Sequence, residues 1–448
     1  MNRPLLRFIP AAAAMLACGL AQSTVAQSNV TWARQLGTTT SDEGRGAAFD
    51  SHGNAIVSGT TNGSLAGPSA GSADVFLIKF DGGGNPLWSR QFGTSTADLN
   101  EQVAVDGADN AFLVGTTYGS LGAPNMGNSD IFLTKYSASG NLAWSRQLGS
   151  PTSEFARDVT ADAVGNAYIC GIATGSLAGT YLGGQDAVVA KYDANGTLAW
   201  SRQFGTNKDD VPVGIAVDRS GNTFVGGATN GNLGGPNAGE MDVFLTKLSV
   251  TGAVLWSKQI GTSRDEAGED VAVDAAGNAL VVGETLGSLS GPSSGANDIF
   301  VSKFDANGNL LWSKQFGSKG NDFAGGITLD AAGKIYIGGY TDGALGGPNA
   351  GLNDAFMAIL DADGNLIALN QLGSAGTDFV LACAVDDAGN PLIAGFTDGN
   401  IDGINAGDRD AFLIKFAPVP EPNCIVIVAI ATLMLRPGRR AARRSKNN

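Results

Sequence analysis

Along most of the chain, short apolar runs alternate with turns rich in glycine, asparagine and aspartate. The runs "GAAFD" and "AIVSGTT" flank the turn "SHGN", and "VFLIKFD" and "PLWSRQFG" flank "GGGN", so the pattern predicts two successive β-hairpins. The first run of each unit is built from small residues ("GAAF", "GIAV", "GGIT", "LACAV"), which suits a crowded inner edge. The third run is apolar on both alternating faces, with Phe76 and Phe80 on one and Val75 and Leu77 on the other. Such a strand must be covered on both sides, which places its sheet between two neighbours.

This four-strand unit recurs without insertion. Tryptophan stands at 32, 88, 144, 200, 256 and 312, every 56 residues. Position 368 holds alanine, yet "LIALNQLG" around it still matches "PLWSRQFG". Two aspartate series keep the same register, one at 50, 106, 162, 218, 274, 330 and 386, the other at 74, 130, 186, 242, 298, 354 and 410. Seven such units either stack as a solenoid or close as a ring. The ends decide for closure, because the body opens on a lone fourth strand, "NVTWARQLG", and finishes on a third strand, "DAFLIKF", without its partner. Pairing Val30 to Leu36 with Ala411 to Phe416 completes the last unit, whereas a solenoid leaves two unpaired edges. The expected fold is all-β: a seven-bladed β-propeller of 56-residue, four-stranded repeats over residues 29–417, its last blade closed by the N-terminal strand.

Composition adds the setting. The 65 glycines and a charged fraction of 16% exclude a helical bundle and a disordered acidic chain. The first residues carry Arg3 and Arg7, an apolar stretch from Phe8 to Ala21, and small Thr24 and Ala26, which predicts a signal peptide over 1–26 cut after Ala26. Without 1–26 and 421–448 the body holds 20 basic against 41 acidic side chains, a net −21. That field repels phosphate backbones, so nucleic acid is not an expected partner. Cys170 and Cys383 fall in different units, where a bridge is not expected, and both read as small core residues.

The unit "AVDAAGNALVVGETLGSLSGPSSGANDIFVSKFDANGNLLWSKQFG" resembles the SBBP β-propeller repeat of bacterial exported proteins, and the resemblance extends from Asn29 to Phe416. It implies a fold rather than an activity. The tail, 418–448, holds Pro420, Glu421 and Pro422, an apolar segment over 424–435, and arginines at 436, 439, 440, 443 and 444. Twelve apolar residues span about 18 Å as a helix against ~30 Å of bilayer core, short for a permanent anchor. The basic end would hold the C-terminus in the cytoplasm and leave the body on the far side. Together these features resemble the PEP-CTERM sorting signal, with Pro420, Glu421, Pro422, Arg439 and Arg440 as its motif. The resemblance implies an exosortase-like processing enzyme as partner, transient membrane contact through the tail (a short transmembrane segment), and a destination in the cell envelope, at the cell surface or outside the cell.

Candidate chemistry is sparse. The single histidine, His52, lies in a turn, which excludes a histidine metal cluster or a His-dependent triad within one chain. An acid recurs in the loop entering each unit: Asp42, Asp98, Glu154, Asp210, Glu266, Asp322 and Asp378. Strand order puts these on the same face as the Asp74 series, giving two concentric acidic rings. Such rings either cap backbone N–H groups of their own turns or collect Ca²⁺ or a cationic ligand at the channel mouth. Capping is the simpler expectation for a residue present in every blade, so no catalytic residue and no cofactor are assigned. "DANGN" at 305–309 and "DADGN" at 361–365 lack the remaining ligands of a calcium loop and read as hairpin turns with Gly308 and Gly364 at positive φ. The tryptophans are expected to anchor blade against blade, with sugar stacking as the alternative. Gln35, Gln91, Gln147 and their equivalents are expected to bond backbone between blades. The leading expectation is a non-enzymatic exported propeller acting as a binding or structural module at the cell surface or in an extracellular matrix, with an extracellular polysaccharide or a surface protein as candidate partner. The alternatives are a carbohydrate-active hydrolase or lyase using acids of the loop-rich face, and a calcium-dependent lectin-like protein.

Overall fold

The structure, a computed structural model, describes residues 28–419. The expected cleavage at Ala26 and the tail motif Pro420, Glu421, Pro422, Arg439 and Arg440 lie outside the described residues. Within them the chain forms 28 strands in seven antiparallel four-stranded sheets. The first blade comprises β2 (Asp42–Phe49), β3 (Ala55–Thr61), β4 (Asp74–Phe80) and β5 (Pro86–Phe92), in that order from the axis outward. Five further blades repeat it. The seventh contains β26 (Asp378–Val385), β27 (Pro391–Thr397) and β28 (Asp410–Phe416), and its fourth strand is β1 (Val30–Leu36). The closing pair runs from Val30 opposite Phe416 to Leu36 opposite Ala411, the register the sequence predicts. No helix among the described residues is long and apolar enough to cross a membrane.

The burial pattern explains why blades rather than free hairpins form. Every residue of β4 is buried, whereas β5 alternates between exposed and half-buried positions. The apolar third strand is therefore sandwiched between neighbouring sheets, and the amphipathic fourth strand makes the outer wall. Phe76, Phe132, Phe244, Phe300, Phe356 and Phe412 are each fully buried at the equivalent place. Removing one such ring costs about 3–5 kcal/mol. Cys170 and Cys383 are free thiols, the first buried and the second packed partly buried against the core.

The tryptophans tie blade to blade. The indole N–H of Trp32 donates to Gly82 O at 3.0 Å, Trp88 to Ala138 O at 3.3 Å, Trp144 to Ala194 O at 3.2 Å, Trp200 to Val250 O at 3.0 Å and Trp256 to Ala306 O at 3.2 Å. Each acceptor sits in the outer hairpin turn of the next blade, 50 residues on. The turn is tight enough to need glycine: Gly308 has φ 80°, and a Cβ there would strike the Trp256 ring. This geometry explains Ala368. Its acceptor would be residue 418, but the seventh blade has no outer hairpin because the two termini meet there. The N-terminal segment fills the gap, with Ser28 N–H donating to Asn370 Oδ1 at 2.9 Å and Asn370 Nδ2 donating to Ser28 O at 2.7 Å.

Candidate functional site

The two acidic series form concentric collars, one at the start of each innermost strand and one at the start of each third strand. Neither is displayed on the surface: all seven acids of the inner collar, Asp42, Asp98, Glu154, Asp210, Glu266, Asp322 and Asp378, are fully buried. Thr38 donates to Asp42 Oδ2 from its N–H at 2.6 Å and from its hydroxyl at 2.8 Å, and the Thr61 hydroxyl donates to Oδ1. Asp210 repeats this with Thr206 and Thr229, and Glu266 with Thr262 and Thr285. Burial pushes the carboxyls of Asp42, Asp210, Asp322 and Asp378 up, and the threonine or serine donors pull them back. Donors surround these oxygens, which is capping chemistry.

The outer collar is capped through Oδ2 only, and the buried Oδ1 of each of its seven acids has no hydrogen-bond partner. Asp74 Oδ2 accepts from Ala70 N–H at 2.7 Å and from Gln91 Nε2 at 2.9 Å. Gln91 also donates to Gly63 O at 2.8 Å and accepts from Ala66 N–H at 3.1 Å. Gln35 and Gln147 do the same in their own blades, so the glutamines bind the long loop of their own blade and not the neighbouring one. Gly93 follows the fourth strand, and a Cβ there would overlap Asp74 Oδ1, which explains the glycine at this place in every unit.

The axial channel departs from this repetition. Each innermost strand carries a β-bulge, between Gly44 and Gly46 in the first blade and at the matching place in the other six. A bulge leaves one residue out of the ladder and re-aims its side chain. The seven bulged residues are Arg45, Glu101, Arg157, Val213, Glu269, Gly325 and Leu381, and all of them line one cavity of about 300 Å³. Seven geometrically equivalent positions thus hold two arginines, two glutamates and three residues without charge.

Residues of the first and second strands complete an uneven wall. Glu284 on β19 (Ala279–Thr285) reaches the cavity from the fifth blade, and Phe323 and Tyr340 reach it from the sixth. Phe323 stacks on Tyr340 with ring centres 5.0 Å apart, and Phe379 meets Tyr340 edge-on at 4.2 Å. On the charged side, Arg45 bridges Glu43 at 2.9 Å and Glu101 at 3.3 Å, and Arg409 reaches Glu43 at 2.7 Å. Among the described residues Arg157 makes no hydrogen bond or ion pair, and its charge is felt at a distance by Glu101 and Glu269.

Glu269 and Glu284 line the cavity from the same blade and influence one another's carboxyl. Burial raises both, Glu269 to about 7 and Glu284 well above the carboxylate range, so the pair holds a proton near neutrality. Glu284 Oε2 is closed off from solvent and has no hydrogen-bond partner. Asp158 and Asp270 lie beneath the bulges and link blades: Asp158 accepts from Val159 N–H at 2.7 Å and Ile215 N–H at 2.8 Å, and Asp270 from Val271 at 2.7 Å and Ile327 at 2.9 Å. Burial pushes both carboxyls up, Asp270 to about 6.

The opposite end of the channel is different again. There the turn acids resemble one another, and Asp50 is neutralised by Lys79 at 2.7 Å. Asp50, His52 and Asp109 come together within 4.8 Å, a meeting across two blades that the lone histidine did not announce. Asp109 takes φ 62° where the other blades have glycine, and its carboxylate accepts from Ser51 N–H at 2.8 Å.

Four stretches, 31–66, 199–234, 255–289 and 311–347, match the family model described as SBBP, beta-propeller repeat. Regulatory protein FlaEY of Caulobacter vibrioides is 25% identical over 345 residues, covering 66% of this chain and 35% of that protein. An uncharacterized WD repeat-containing protein of Acanthamoeba polyphaga mimivirus is 20% identical, covering 82% of this chain and 36% of that one. The chain therefore spans about a third of the length of the curated relatives it matches. Among solved structures, the WD40 beta propeller domain of Doa1 is similar with a TM-score of 0.50 at 11% identity, covering 88% of this chain and 98% of that one, a likeness of fold alone. The ring of seven four-stranded sheets makes this chain a seven-bladed β-propeller, and four stretches of it are similar to the SBBP beta-propeller repeat.

Proposed function

We propose that this propeller is an exported, non-enzymatic binding module of the cell surface or extracellular matrix, and that the uneven mouth of its axial channel is the binding site. The observation that carries the reading is the bulged position. The collars, the tryptophan ties and the turn acids recur from blade to blade because the fold needs them, and the position aimed into the cavity differs from blade to blade. Export and tail sorting are supported by the apolar leader and by the Pro-Glu-Pro motif with its basic end.

A hydrolase or lyase reading would rest on the same cavity. A retaining glycosidase needs one of its paired carboxyls ionised, and burial pushes both Glu269 and Glu284 toward the protonated form. That favours binding over cleavage. The test is to incubate the full chain with the extracellular polysaccharide fraction of its own cells. Retention of intact polymer, lost when Val213→Trp fills the cavity, is the expected result. Shortened polymer would replace binding by catalysis, and retention unaffected by Val213→Trp would remove the cavity from the account.

A further inference from the structure

The chemistry of the channel mouth names a ligand class, and this step rests on the reading of the mouth as the binding site. The cavity volume, about 300 Å³, lies at the small end of the ~300–1,000 Å³ typical of ligand sites. It admits one compact unit and not a folded segment of polymer.

Three groups in it are unmet. Arg157 is a solvent-exposed guanidinium without a protein acceptor, while Arg45 is held by Glu43 and Glu101. A planar fork left open in a partly enclosed cavity pairs best with a planar carboxylate. Glu284 Oε2 is buried and unpartnered, and the Glu269–Glu284 pair that carries it offers acceptor oxygens and one proton. Such a pair wants a ligand with several O–H groups. In the blade next to the carboxyl pair, Phe323 and Tyr340 present an aromatic wall. An aromatic face takes the C–H face of a ring and leaves its hydroxyls free.

Val213 separates the open arginine from the carboxyl pair around the ring, so the ligand must carry its charge at one edge and its hydroxyls at another. We propose that the channel mouth binds a terminal hexuronate residue on an otherwise neutral polysaccharide, with its carboxylate on Arg157, its hydroxyls on Glu269 and Glu284, and its ring against Phe323 and Tyr340. A neutral hexose leaves the arginine unpaired. An α-amino acid offers one ammonium to the carboxyl pair and lacks the hydroxyls.

Titration calorimetry of the full chain with glucuronate, glucose and leucine tests the assignment. Glucuronate is expected to bind saturably and at least about tenfold more tightly than glucose, the discrimination one charge-assisted pair supplies. Arg157→Gln should bring glucuronate down to the glucose level, and Arg157→Val should do the same, since valine is the native bulged residue of the next blade and keeps the variant folded. Arg202→Gln on an outer strand should change nothing. Equal binding of glucuronate and glucose, undiminished binding by both Arg157 variants, or saturable binding of leucine alone would overturn the proposal. The site reading is judged separately by Val213→Trp: polysaccharide retention lost in that variant while glucuronate fails to bind would keep the site and discard the ligand class.

Discussion

The collar and the channel mouth lie on the same innermost strands, a few residues apart, and they are built on opposite rules. At Asp42 and its equivalents, seven buried acids do one task, each accepting the backbone N–H of the residue four places earlier, and only the second donor varies from blade to blade. At Arg45 and its equivalents, seven bulges share a geometry and present different chemistry. Where a repeat protein spends identical residues, the fold demands them. Where identical geometry carries unlike residues, the demand comes from outside the fold.

The strongest break on the scaffold side is at closure. A chain beginning at Gly37 lacks β1 and leaves β28 as an open edge, and it should lose on the order of 5 kcal/mol or fail to fold. Denaturant unfolding followed by tryptophan fluorescence checks this, and an unchanged midpoint would contradict closure by β1. Next comes the collar itself. Asp210→Ala leaves the Thr206 N–H and the Thr229 hydroxyl without their acceptor in a buried turn, at a cost of about 3 kcal/mol. Asp210→Asn keeps one acceptor oxygen and should cost about 1 kcal/mol. Equal losses for the two variants would show that charge rather than capping matters there.

The mouth responds to pH instead. The folded Glu269 carboxyl lies near 7 because burial penalises its charge, above its value in the unfolded chain. Between about pH 4.5 and 7 the native state then holds the extra proton, so stability falls as pH rises through that window and levels off above it. Arg45, Arg157 and Tyr340 face the same cavity, and so do Glu101, Asp158, Asp270 and Glu284, whose carboxyls burial also raises. Glu269→Gln should gain about 1–3 kcal/mol over wild type at pH 8 and little at pH 4, measured by urea midpoints. A variant stabilised equally at both pH values would contradict the buried-charge account. The smallest effect sharpens the contrast from the other side. Because donors fill the inner collar, millimolar calcium should move the melting temperature by less than about 1 °C. A larger rise that disappears on replacing Asp98, Asp210 and Asp322 together with asparagine would make the collar a cation site.

The legible and illegible parts of this molecule divide along the same line. Seven copies in register exposed the strands, the closing pair and the Trp32 series, because repetition averages away noise in a pattern. The same averaging hid the mouth. Arg45, Glu101, Arg157, Val213, Glu269, Gly325 and Leu381 occupy the column in which the copies disagree, and a search for shared residues passes over it. The bulge that aims them is an irregularity of register, set by how two strands pair rather than by the residue at that place. A column-by-column comparison of the units, seeking disagreement on the innermost strand, was the available signal. The glutamines were misjudged for a related reason: the sequence shows that Gln91 recurs but not which loop folds back over it.

The central claim is that function resides in the disagreement at the mouth and not in the repeated collars. Replacing Arg45, Glu101, Arg157 and Glu269 together with valine makes the mouth nearly uniform while using a residue that the bulge of the fourth blade already accommodates. Retention of the extracellular polysaccharide fraction by this variant, read beside its thermal melt, tests the claim most directly. The account predicts a cooperative melt close to that of the wild type and retention reduced at least about tenfold; a variant that melts normally and retains the polysaccharide as well as the wild type would contradict it.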